Sequence, residues 1–135
     1  MSSLYQALLL IAFGGPTSPE DIRPFLTRVT KGMAIPAERL EKVAQHYEAV
    51  GGKSPLNEIT FRQADALRKA LNERGTHLPV YVGMRNSKPF FAEALKQMAD
   101  DGIKRALGFI LSSHRTEASW ERYQKNIAED RKSVV

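Results

Sequence analysis

The chain has 135 residues, 42% hydrophobic and 26% charged, with 9 Gly, 7 Pro and no cysteine. That length predicts one compact domain with a real core, and the lack of cysteine excludes a disulfide scaffold, a thiolate zinc site, an iron–sulfur cluster and a cysteine nucleophile. The net charge is +5, from 20 basic and 15 acidic residues, but the signs are mixed, as in Glu38-Arg39, Glu41-Lys42 and Glu121-Arg122, so nucleic acid is not an expected partner.

Ala7 to Phe13 is the longest apolar run, seven residues, far short of the ~20 that span a bilayer. No secretory signal is visible in the first residues, and a soluble, cytoplasmic protein is expected. Tyr5 to Phe13, closed by Gly14-Gly15-Pro16, reads as a central strand of a parallel sheet, buried on both faces. Ser18 reads as an N-cap with Pro19 at the first helical position and Glu20-Asp21 behind it. That helix is expected to run to about Val29, with Pro24 costing one backbone bond and kinking its first half.

Pro36 opens a second helix with Leu40, Val43, Ala44 and Tyr47 on one face, stopped at Gly51-Gly52. Ser54-Pro55 leads into a third, with Ile59, Ala66, Leu67, Ala70 and Leu71 as its apolar stripe. Pro79 to Met84 reads as a strand, Phe90 to Met98 as a helix, Arg105 to Leu111 as a third strand and about Ala118 to Asp130 as a last helix. The order is β, three helices, β, α, β, α. It predicts an α/β fold: a three-layer arrangement with a parallel sheet and helices on both faces. Three strands make a narrow sheet with two edges needing cover. The expectation is therefore the first part of something longer, or a chain that pairs with another copy.

In open α/β sheets the site lies beyond the carboxyl ends of the strands. Three segments meet that rule: Phe13 to Pro16, Gly83-Met84-Arg85-Asn86 and Ser112-Ser113-His114-Arg115. The lining is polar and basic and suits an anionic ligand. The spacings G-x-G-x-x-G and G-K-[ST] are absent, which removes a nucleotide reading. His114 suits a metal ligand or general base, or a loop histidine capping the next helix. His46 suits a ligand role or a solvated helix position, and His77 receives no role.

The segments LLLIAFGGPTSPEDIRPFL, YEAVGGKSPLNEITFRQADAL, VYVGMRNSKPFFAEAL and DDGIKRALGFILSSHRT resemble, in order and spacing, the N-terminal region of ferrochelatases. The resemblance runs from about Leu8 to Tyr123 and covers well under half of a full family member. It implies a chelatase-like N-terminal lobe over residues 1–135, the C-terminal lobe being absent, in a fold of two similar lobes with the macrocycle between them. It implies insertion of Fe²⁺ into a porphyrin, protoporphyrin IX or coproporphyrin III, in haem synthesis. Iron is then a substrate, and no cofactor is implied.

The residues that the resemblance assigns to substrate binding are Phe13, His46, Tyr47, Ser54 and Tyr123. Phe13 stands where relatives of the coproporphyrin type have a tyrosine near the metal. It cannot ligate iron through oxygen, but it can stack on the macrocycle. Thr30 stands where the family has an arginine, with Arg28 and Lys31 beside it to take over a propionate. Ser87 replaces a bulky apolar residue, which costs on the order of 2–4 kcal/mol if a cavity is left.

The family's metal-inserting pair is a histidine in an S-A-H-S motif and a later glutamate. Neither motif occurs here, so no catalytic residue and no metal ligand is assigned, and the isolated chain is expected to be inactive. Two other readings stand beside this one. The first is a half-size homodimeric chelatase similar to the small cobalt chelatases of corrinoid synthesis, in which only His114 matches one of their metal histidines. The second is a non-catalytic tetrapyrrole-binding module. The partners expected are a porphyrin and, through the face left by the missing lobe, a second copy.

Overall fold

Six apolar residues, Ala7–Ala12, form the central strand β1, and every one except Leu8 is buried. The structure is a computed structural model that describes residues 4–134. After β1 come a single 3-10 turn, Pro19–Asp21, and then α1 (Ile22–Val29), α2 (Ala37–Ala49) and α3 (Leu56–Glu73). Strand β2 (Val80–Met84), α4 (Phe91–Asp100), β3 (Ala106–Ile110), a π-helical turn (Glu117–Glu121) and α5 (Arg122–Val134) complete the chain.

The sheet is parallel throughout, in the order β2-β1-β3. Leu10 pairs with Val82 on one side and with Phe109 on the other. Successive side chains alternate between faces, so β1 feeds two cores. Leu10 and Ala12 join Val80, Val82 and Met84 under Ala64 of α3. Ala7, Leu9 and Ile11 join Phe91, Ala94 and Met98 of α4 and Tyr123 of α5. Helices therefore lie on both faces of the sheet. A third cluster packs Ile22, Phe25 and Leu26 of α1 against Ala44 of α2, with Phe25 edge-on to Tyr47 at 5.8 Å between centroids.

Two local expectations are corrected. Pro24 lies in the first turn of α1, where no N–H has an intrahelical partner, so it removes no bond. The irregularity sits before it, in the 3-10 turn. Ser18 is extended and precedes that turn, but its side chain caps nothing; the Asp21 carboxylate instead accepts from the backbone N–H of Thr17 at 3.1 Å. Among the described residues no helix is long and apolar enough to cross a membrane.

Candidate functional site

The segment Phe13 to Pro16 leaves the carboxyl end of β1 and is held from two sides. Gly14 has φ +80, and a Cβ there would lie 2.9 Å from the Ser87 Cβ, so only glycine fits. On Gly15 a Cβ would lie 2.5 Å from the Ser54 Cβ and 2.7 Å from its hydroxyl. The tight loop is thus a close approach of three backbones: the β1 exit, the start of α3 and the β2–α4 connection.

Buried asparagines fasten it. Asn57, 7% exposed at the start of α3, accepts from the Gly15 N–H at 2.8 Å and donates to the Gly15 carbonyl at 3.0 Å. Ser87 also donates to that carbonyl. Asn86, 1% exposed, donates to the Phe13 carbonyl from its backbone at 3.0 Å and from its side chain at 3.2 Å. The Ser54 N–H donates to the Pro16 carbonyl at 3.0 Å. Polar groups this deep are tolerated because each is paired.

Of the residues singled out from sequence, Phe13 is half-buried and packs against two clusters, that of α1 and α2 and that of α4 and α5. Tyr47 lies in the first of these and Tyr123 in the second, so Phe13 links the two tyrosines. Ser54 is reached through Gly15. His46 stands apart: it is exposed on α2, one residue and about 100° round the helix from Tyr47. Tyr123 is a core residue at 3% exposure, edge-on to Phe91 at 5.9 Å. Burial pushes its hydroxyl pKa up, against the pull of Arg85.

Three expectations change here. Arg28 does not reach out beside Thr30; its Nε donates to the Asn86 carbonyl at 2.9 Å, it pairs with Asp21 at 3.0 Å, and it lies over the Phe90 ring. Lys31 is left as the exposed cation at that corner. Ser87 is buried at 2% exposure against Gly14 and Gly15, so its hydroxyl exchanges an apolar contact for a hydrogen bond. The loop before α5 is capped by Thr116, whose hydroxyl accepts from Ser119 N–H at 3.1 Å, while His114 is exposed.

A cationic corner lies at the end of β2. Burial and the neighbouring Arg122 both disfavour the charge on Arg85, whose Nε donates to Asn126 at 3.3 Å. Arg122 is held by Glu117 of the π-helical turn at 3.3 Å. Among the described residues no cluster of three or more His, Cys, Asp or Glu groups forms a metal cage. Asn57 escapes a reading of spacing altogether, because its partner is 42 residues away. Asn86 was visible only as part of the G-M-R-N segment. What the corner can do chemically is present a rigid, partly aromatic floor with cations at its margin.

Comparison with known proteins accords with this architecture. The ferrochelatase family model matches residues 5–134. The coproporphyrin III ferrochelatase of Streptomyces coelicolor is 44% identical over 95% of this chain and 34% of its own length. That of Mycolicibacterium smegmatis is 46% identical over 94% of this chain and 37% of its own. A ferrochelatase of Rhodopirellula baltica is 42% identical over 96% of this chain and 37% of its own. The chain thus spans about a third of the length of these relatives. With a match that runs through all three strands and the glycine loop between them, the chain belongs to the ferrochelatase family.

Proposed function

We propose that this chain is the porphyrin-binding N-terminal lobe of a ferrochelatase, cytoplasmic, with Fe²⁺ and a porphyrin as substrates. The observation that carries the reading is the family match over residues 5–134. The rigid loop beyond the carboxyl ends of β1 and β2 supports it, being where open α/β sheets bind ligands. Coproporphyrin III is the favoured porphyrin, since relatives named for it share 44–46% identity with this chain.

In this reading Phe13 stacks on the macrocycle and contributes no ligand to iron. Tyr47 forms a wall beside it, His46 and Ser54 meet a propionate, and Tyr123 supports the floor from beneath. Insertion replaces two pyrrole protons by Fe²⁺ and needs a base to take them. In the family that base belongs to a histidine and a glutamate outside the stretch matched here. This lobe alone therefore binds porphyrin without metallating it. Left without its complement, it self-associates through exposed apolar surface.

The test is an anaerobic titration with coproporphyrin III and Fe²⁺, followed at the Soret band. A saturable shift with no metalloporphyrin is expected, and His46→Ala, at an exposed position, weakens it. An unshifted band refutes the porphyrin site. Turnover refutes the incomplete lobe and favours a chelatase completed across a dimer.

A further inference from the structure

We propose that the Asp21–Arg28 ion pair is a positioning device for Phe13: it clasps the loop Phe13 to Thr17 at both ends and so sets where the Phe13 ring lies. Its bearing on a macrocycle rests on the reading of Phe13 as a stacking residue, but the clasp itself does not require a porphyrin.

Strand β1 ends at Ala12, so the ladder no longer fixes Phe13. The ring is half-buried at the junction of two apolar clusters, and its place there follows from where its backbone is held. The Phe13 carbonyl is held by Asn86 alone among the donors described above, through the backbone N–H at 3.0 Å and the side chain at 3.2 Å. Asn86 in turn lies beyond the end of β2. What anchors it on its other side is Arg28, whose Nε donates to the Asn86 carbonyl at 2.9 Å.

A guanidinium presents its donors in one rigid planar fork. With Nε given to Asn86, the Nη2 of Arg28 meets one Asp21 carboxylate oxygen at 3.0 Å. The other oxygen accepts from the Thr17 N–H at 3.1 Å and from its hydroxyl at 3.3 Å. One ion pair thus reaches Phe13 through Asn86 at the start of the loop and Thr17 directly at its end. Asn57 fastens only the middle, at Gly15.

The pair is also sheltered. The Arg28 and Asp21 side chains are 32% and 21% exposed, so water screens them less than it screens a surface pair. The Phe90 ring lies 5.5 Å from the guanidinium and offers its face to the cation. Arg28 is therefore committed to the fold on three sides. It acts on a bound molecule through Phe13, as a positioning residue, while Lys31 is the cation left outside.

The test compares the native chain with Arg28→Ala, Arg28→Lys and Asp21→Asn. Without porphyrin, hydrogen exchange at the Asn86 N–H reports the hold on the Phe13 carbonyl. The Arg85 N–H, which donates to the Ala12 carbonyl at 3.0 Å, reports the neighbouring ladder. Arg28→Ala should speed exchange at Asn86 about tenfold and leave Arg85 unchanged. Arg28→Lys keeps a cation beside Asp21 without the planar fork; it should speed Asn86 as well, and it decides the matter if the alanine variant does not fold. Asp21→Asn, one bond further away, should have the same effect to a smaller degree. With coproporphyrin III, Arg28→Ala should weaken binding about fivefold in the native background and have no effect in Phe13→Ala. Unchanged exchange at Asn86 in a folded Arg28 variant overturns the proposal. So does equal acceleration at Asn86 and Arg85, which is general loosening, or an equal loss of affinity with and without the Phe13 ring, which means that Arg28 meets the porphyrin itself. A native chain with an unshifted Soret band refutes the porphyrin site, and exchange still decides the clasp.

Discussion

Asn57 carries more of the loop than any residue that could be chosen from spacing. It satisfies both backbone groups of Gly15, and Asn57→Ala leaves a buried N–H without a partner. The expected loss is about 1–3 kcal/mol, measured by urea unfolding. Gly15→Ala forces a methyl into Ser54 and should cost about 1–3 kcal/mol. Because the clash is with one side chain, Ser54→Gly should recover much of it in a double-mutant cycle. Failure of that rescue would move the obstruction to the backbone. A third prediction concerns Tyr81, whose hydroxyl is pushed up to about 12 from 10.0, first by loss of water and then by its hydrogen bond to Asp101 and that carboxylate's charge. The folded state holds this proton more tightly than the unfolded chain. Its contribution is therefore whole below about pH 10 and disappears as pH rises to about 12. The stability difference between the native chain and Tyr81→Phe should shrink across that window in urea midpoints taken against pH.

Helices α1 and α2 are joined by apolar contact, with charge as a minor partner. Arg23 reaches both Glu41 and Glu48, yet its side chain is 54% exposed. Water screens such pairs, so Arg23→Ala should leave the urea unfolding midpoint almost unchanged. Phe25 is 2% exposed and stacks edge-on with Tyr47. Phe25→Ala should cost about 3–5 kcal/mol and loosen Tyr47, visible as increased quenching of tyrosine fluorescence. The elements themselves were readable along the chain. Gly51-Gly52 stops α2 where the pattern places it, and the strand-to-helix alternation predicts the parallel sheet. Pro24 misled because its cost depends on its position within a helix, and the 3-10 turn before α1 shifts that position by one turn.

For the whole molecule the exposed apolar edge of β3, where Phe109 is 58% exposed, is the dominant feature. With nothing laid on β3, the isolated chain should self-associate weakly as its concentration rises, and Phe109→Asp should return it to monomer. Light scattering over a concentration series checks this, and a native chain that stays monomeric throughout would deny it. Strands, helices, their order and the family resemblance follow from neighbours a few positions apart: apolar period, glycine stops, proline starts. Those signals are local, so they survive in one dimension. The asparagine clamps, the retreat of Arg28 into the fold, the burial of Tyr123 and the bare side of β3 depend on residues far apart in the chain, 73 positions in the case of Asn86 and Phe13. They exist only once the sheet has brought its carboxyl ends together, because closing that sheet is what takes water from these groups and obliges each to find a partner.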